Sequence, residues 1–322
     1  MEGGDEDNID ALPSVRDLES RFGFFTQPEG GDGPTSVHHE LVPTAAGCVT
    51  CECVRCKTWA AFIETGGPGG TRQYEVLTRE HVRGLAQLIL HVRAHLVAAG
   101  GLGQGQPLRV LELGAGNGRL AHALRVAMAS DHPSMKDAAQ QDVSTDPPVL
   151  LVASDLHPRQ GCFPVLEMDY ARALEVCAPD VALVSWMPLG HDWTHAVRAS
   201  ASVQALVLVG EAGAGVCGHP SLTWGVTPRN NNGALPRHER RRVRGWSLQE
   251  LVALSDVQLC MLDEPWCFQR HSRTFIATRD ERLAHELAAY CSNDHCTSTL
   301  DQFHRTSHSS QQASAVVPCT SA

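Results

Sequence analysis

The chain contains no uninterrupted apolar run approaching the ~18 residues of a membrane-spanning helix, which excludes the classes of membrane protein built on such helices. Its first residues, Met1-Glu2-Gly3-Gly4-Asp5-Glu6-Asp7, are acidic where an export or transit signal would be basic. Positive charge is also short: 26 Lys and Arg stand against 36 Asp and Glu, a formal net charge of -10. Such a molecule as a whole repels nucleic acid and anionic lipid, so bulk electrostatics selects neither as a partner. No internal repeat of fixed period is visible. These absences lead us to expect a protein that stays in the compartment where it is made, the cytoplasm, with the nucleus not distinguished.

The content fits one large domain with a small extension: 322 residues, 43% hydrophobic and 19% charged, enough for a sizeable core. The 12 cysteines are spread along a chain without an export signal, which favours reduced thiols, with or without a metal, over a disulfide framework. Composition divides the chain into a flexible N-terminus (1–22), a Cys-rich extension (23–70), a main domain (71–291) and a disordered tail rich in Ser, Thr, His and Gln (292–322).

Within the main domain the apolar periodicity is regular. Thr78 reads as the N-cap of a helix carrying Val82, Leu85, Ile89, Val92 and Leu96, closed by Gly100-Gly101. Leu108 to Leu113 is a short apolar strand, followed by a glycine turn and a helix from Leu120 to Met128. Strands are expected at Val149 to Ala153, Val181 to Ser185 and Ala205 to Val209, alternating with helices at Ala171 to Cys177 and Thr194 to Ala199. The alternation implies an α/β fold with a mostly parallel sheet and helices on both faces. Ser247 to Leu254 reads as a helix, and Val257 to Asp263 and Ser272 to Thr278 as an antiparallel pair at the sheet edge. The polar, Pro-containing stretch 129–147 reads as a surface insertion.

The turn is Glu112-Leu113-Gly114-Ala115-Gly116-Asn117-Gly118. Lacking side chains, its glycines let the backbone bend tightly and let a nucleoside ligand approach the N–H groups. A dinucleotide fingerprint would need glycine where Arg119 stands. A nucleoside site also needs a carboxylate at the end of the next strand, to accept the ribose hydroxyl protons. Asp155 lies 41 residues beyond Gly114, and 22 once the 19-residue insertion is removed, against the ~20 expected. Asp169, just before a helix, is a second acid that either binds a ligand or caps that helix.

On these residues the chain resembles the class I, Rossmann-like S-adenosylmethionine-dependent methyltransferases, over roughly 74–279. The resemblance implies a seven-stranded, mostly parallel sheet with helices on both faces and an antiparallel C-terminal edge pair. It implies that Glu112, Gly114, Gly116 and Gly118 hold the methionine portion of the cofactor, Asp155 the ribose and Asp169 the adenine. It counts Ser185 among the cofactor-binding residues, where it opens the substrate-facing loop Ser185-Trp186-Met187-Pro188-Leu189-Gly190-His191-Asp192-Trp193 after the fourth strand. His191 and Asp192 are candidates for moving a proton, or are plain loop residues at a helix start. Tyr74 is a candidate for contact with cofactor or substrate, or a packed aromatic. The acceptor class is a small molecule or a protein side chain. The alternative is a non-catalytic methyltransferase-like interaction module with a zinc-binding Cys cluster.

That cluster, Cys48, Cys51, Cys53 and Cys56, puts four soft ligands within nine residues, with His38 and His39 upstream. It lacks the ~12 to 20 residues that separate the Cys pairs of paired-knuckle zinc modules, so structural thiols remain the alternative. The run Arg237-His238-Glu239-Arg240-Arg241-Arg242-Val243-Arg244 is basic but reads as a solvated loop, and nucleic acid is disfavoured as a partner.

Overall fold

The structure is a computed structural model that describes residues 9–22, 41–43, 49–66, 72–131, 147–212, 216–225, 241–263 and 272–292. Helix α1 (Val15–Phe22), strands β1 (Leu41–Pro43) and β2 (Val49–Cys51) and helix α2 (Val54–Thr65) form the N-terminal part. Strand β3 (Glu75–Val76) leads into the long helix α3 (Arg79–Ala98). Thr78 caps α3 as the sequence predicts: its hydroxyl accepts from the His81 N–H at 3.1 Å and donates to the Val257 carbonyl at 2.6 Å.

The central elements follow in near-regular alternation, with β5 and β6 in succession: β4 (Leu108–Leu113), α4 (Arg119–Asp131), β5 (Val149–Asp155), β6 (Val165–Glu167), α5 (Tyr170–Cys177), β7 (Val181–Ser185), α6 (Thr194–Ala199) and β8 (Ala205–Glu211). The last elements are β9 (Arg241–Val243), β10 (Trp246–Glu250), α7 (Val252–Asp256), β11 (Leu259–Cys260), β12 (Ser272–Thr278) and α8 (Glu281–Ser292). No helix among the described residues is long and apolar enough to cross a membrane.

The main sheet has the order β6-β5-β4-β7-β8-β12-β10-β9. Strands β6, β5, β4, β7 and β8 run parallel, whereas β12, β10 and β9 are joined by antiparallel pairing. Alternate residues of the strands enter two separate cores. Val110, Leu183, Val207 and Ile276 pack under α3, α4 and α8, while Leu111, Val184, Leu208 and Phe275 face α5 and α6. Burial on both faces is why these strands read as continuous apolar runs.

Three expectations for the C-terminal third are corrected. The stretch read as a helix from Ser247 to Leu254 is mostly strand β10, because pairing to both β9 and β12 outweighs the local preference of Ser, Gln and Glu. Only Val252–Asp256 is helical. Val257 to Asp263 does not pair with β12; its strand, β11, pairs with β3 in a separate small sheet, and β12 lies between β8 and β10. The sheet has eight strands where seven are expected, because Arg241–Val243 of the basic run forms an edge strand rather than a loop. Its turn into β10 is a two-residue hairpin with positive φ at both Arg244 (49°) and Gly245 (86°).

At the N-terminal side, part of the segment expected to be flexible is held. Ile9 is buried in the main core, and Leu18 and Phe22 join Trp59, Ile63, Val76 and Leu259 in a satellite cluster. In the expected insertion, α4 runs on to Asp131, residue 147 is again described, and 132–146 lie outside the described residues. The expected tail lies outside them beyond Ser292, the end of the amphipathic helix α8, which the sequence reading left unassigned.

Candidate functional site

Strand β4 has β5 on one side and β7 on the other, so the order of the parallel strands reverses there. The turn from β4 to α4 stands at that reversal. Gly114, Gly116 and Gly118 have φ of 71°, 60° and 74°, the left-handed region that glycine enters freely. A Cβ at Gly114 would stand 2.8 Å from the Trp193 ring, and one at Gly118 would stand 2.8 Å from the Cβ of Phe163. At Gly116 a Cβ would meet nothing within 4 Å, so that glycine borders open space.

The end of β5 holds the turn in place. The N–H groups of Gly114 and Ala115 donate to the Ser154 carbonyl at 2.8 and 3.0 Å. The Gly116 N–H donates to Asp155 Oδ2 at 2.9 Å, and Asp155 Oδ1 accepts from the His157 N–H at 2.8 Å. The glycine turn and the acid assigned from its spacing are therefore in direct contact through Gly116. Each carboxylate oxygen keeps a second lone pair.

Glu112 lies beneath the turn, 2% exposed, and among the described residues its Oε2 has no hydrogen-bond partner. Burial pushes its carboxyl up to about 8, and the neighbouring Glu75 and Asp155 add to the rise, while a backbone N–H at Ala121 opposes it. A buried carboxylate oxygen without a donor is costly, and a cationic ligand is one way to satisfy it.

The sequence reading missed Glu75. It sits on β3, buried, with Oε2 accepting from Ser185 Oγ at 2.9 Å and Oε1 accepting from Gln258 Nε2 at 3.3 Å. Burial pushes it up to about 7, against the lowering effects of the Ser185 bond and of Arg119. Behind it, Thr274 Oγ1 donates to Gln258 Oε1 at 2.7 Å and lies 3.0 Å from His81 Nε2. Burial drives His81 down to about 3, so it is neutral. Arg119, from the first turn of α4, donates to Gln73 Oε1 at 3.3 Å. The one local signal for Glu75 is an acid directly before an apolar pair, Val76-Leu77, and an N-cap.

The remaining candidates are placed as follows. Asp169 is exposed and caps α5, its Oδ1 accepting from the N–H groups of Ala171 at 2.9 Å and Arg172 at 3.1 Å. Tyr74 is 53% exposed, its ring centroid 6.4 Å from that of Trp186. His191 is exposed, and its backbone N–H donates to the Pro188 carbonyl. Asp192 Oδ1 accepts from the Thr194 N–H and hydroxyl and from Thr223 Oγ1 at 3.2 Å, with Arg198 Nη2 4.0 Å away. That carboxylate ties the loop down. Trp193 stacks on Tyr170 at 5.4 Å, and Trp186 holds a φ of 56°, a conformation uncommon for a bulky residue.

Away from this crevice, the sulfurs of Cys51, Cys53 and Cys56 all lie within 4.8 Å of one another, a grouping able to hold a metal ion. Cys48 lies outside the described residues, as do His38 and His39. Compared with protein-family models the chain finds no match, and compared with curated proteins it finds none.

Proposed function

We propose that this chain is a class I S-adenosylmethionine-dependent methyltransferase acting on a small-molecule or protein acceptor. The observation that carries this reading is the glycine turn at the reversal of strand order, bonded through Gly116 to the carboxylate that ends the adjacent strand. In open α/β sheets, ligands bind in the crevice at that reversal, outside the carboxyl ends of the strands.

The residues present fit the cofactor. Glu112 offers a buried, unpartnered oxygen suited to the methionine ammonium, and Gly116 leaves its backbone open to close approach. Asp155 would accept the ribose hydroxyls on the lone pairs that Gly116 and His157 leave, and Asp169 the adenine amino group on Oδ2, the oxygen not used as the cap. When bound, S-adenosylmethionine supplies an electrophilic methyl group on a sulfonium.

The chain's own part is to align, shield and balance charge. Glu75, Glu112 and Asp155 place three neighbouring carboxyls in a crevice where a sulfonium and an amine would favour their ionised forms. Trp186 and Trp193, in the loop after β7, lie against Tyr74 and Tyr170 and would help to exclude water from the bound cofactor. Glu75, near 7 and hydrogen-bonded to Ser185, is better matched to taking up an acceptor proton than exposed His191 or Asp192, which is engaged in the loop.

Calorimetric titration with S-adenosylhomocysteine, beside an Asp155→Ala variant, tests the reading. Saturable binding weakened by the substitution is expected. No binding by well-folded wild-type protein would overturn it and leave the non-catalytic interaction module.

A further inference from the structure

The corner from β2 into α2 brings three thiols together. Cys51 ends β2, Cys53 occupies the N-cap position of α2, and Cys56 lies in its first turn. All three sulfurs fall within 4.8 Å of one another. A tetrahedral zinc ion with Zn–S bonds of about 2.3 Å requires sulfurs about 3.8 Å apart, so a shift of about 1 Å closes the set. Cys51 and Cys56 are buried and Cys53 is half-exposed, which leaves a side reachable from solvent.

Cys51 and Cys56 are buried, at 5% and 8% exposure. The apolar cluster beside them is made by Leu18, Phe22, Trp59, Ile63, Val76 and Leu259, and the cysteines are not among its members. That cluster is small for a segment that must hold α1, β1, β2 and α2, and small cores are commonly reinforced by a metal. The single short Cys-x-Cys-x2-Cys turn also explains why no second pair follows at the spacing of a zinc finger.

We infer that Cys51, Cys53 and Cys56 bind a zinc ion as thiolates, with the fourth position taken by solvent or a further donor. Each thiol gives its proton to solvent as its S–Zn bond forms, and no electron is transferred. The metal would fix the start of α2. That helix in turn anchors the crevice: Trp59 Nε1 donates to the Asp263 carbonyl at 2.6 Å, and the Ile63 carbonyl accepts from the Gln73 N–H at 2.8 Å. Gln73 is the partner of Arg119, and β3, two residues on, carries Glu75.

The test is elemental analysis of the full chain purified under reducing conditions without chelator, and then reconstituted with zinc. About one equivalent of zinc is expected, as one four-coordinate site requires. Replacement by Co2+ should produce thiolate-to-cobalt charge-transfer absorption, reduced in Cys53→Ser and lost in the triple Cys51→Ser/Cys53→Ser/Cys56→Ser variant. Cys177→Ser should keep the metal. If the triple variant does not fold, the cobalt spectrum of the wild type decides. Absence of stoichiometric metal after reconstitution, a metal-free chain with two of these cysteines joined as a disulfide, or full retention in a folded triple variant overturns the inference.

Discussion

Replacing Glu112 with Gln should move stability and binding in opposite directions. The folded carboxyl lies at about 8 against an ordinary 4.5, so the ionised form is disfavoured in the crevice. A group whose folded pKa is raised in this way costs nothing below pH ~4.5, where both states are protonated. The cost grows as pH rises and levels off above about 8. At about 1.4 kcal/mol per unit, it reaches at most about 3 kcal/mol at pH 7. Glu112→Gln keeps the shape and removes the charge, so Tm of the ligand-free protein should rise by several degrees at pH 7 and be unchanged near pH 4. Binding should weaken, because a charge-assisted hydrogen bond worth about 1.5–3 kcal/mol is lost, roughly 10- to 150-fold in Kd for S-adenosylhomocysteine. An ammonium that ionises Glu112 also drives off its proton, so wild-type titrations at pH 7 in buffers of different ionisation enthalpy should show proton release. Unchanged affinity in Glu112→Gln, together with no proton release in the wild type, would refute the role assigned to this oxygen.

The glycines of the turn should separate folding from binding. Gly114→Ala meets the Trp193 ring at 2.8 Å with φ at 71° and should lower Tm, whereas Gly116→Ala points into open space, costs about 1–2 kcal/mol for its left-handed backbone, and mainly abolishes titratable binding. Asp192→Ala removes the acceptor for Thr194 and Thr223 beside Arg198 and should destabilise by about 2–3 kcal/mol in denaturant melts, with Asp192→Asn partly restoring stability. His95 bonds Glu286 and Asp280 at 2.8 Å each; burial lowers its pKa, but these bonds and charges prevail and raise it. Its stabilisation is full below the unfolded pKa and lost as pH rises through the folded value, so Tm should fall over that interval in wild type and not in His95→Gln. The effect is of order 1 kcal/mol or less, since the two carboxylates are well exposed. A Tm profile without that difference would refute the pairing.

Features written in neighbouring residues were readable directly. The Thr78 cap, four of the five parallel strands and the glycine turn depend on a hydroxyl at one position, an apolar run, or the absence of a side chain. Each is a property of a few consecutive positions. The closeness of the glycine turn to Asp155, seen in the Gly116–Asp155 bond, was also recoverable, because the length of a strand-helix-strand unit constrains the spacing once the insertion is set aside. Asp169 could be located but not resolved, since capping a helix and binding an amino group call for the same oxygens at the same place.

Choices made between distant segments were not readable. Ser247 to Glu250 carries residues that suit a helix, and it becomes a strand because β9 and β12 flank it with open hydrogen-bonding edges. β11 leaves the main sheet for β3, whose partner lies 183 residues away at the Glu75–Gln258 bond. Glu75 looks like any acid ahead of a helix until the fold closes Ser185, Gln258 and the apolar core around it and strips away its water. The sequence thus determines the central alternating elements and the turn, because their causes act over a few residues along the backbone. Tertiary structure decides strand partners and the protonation of Glu75 and Glu112, because these depend on desolvation and on groups that only folding brings near.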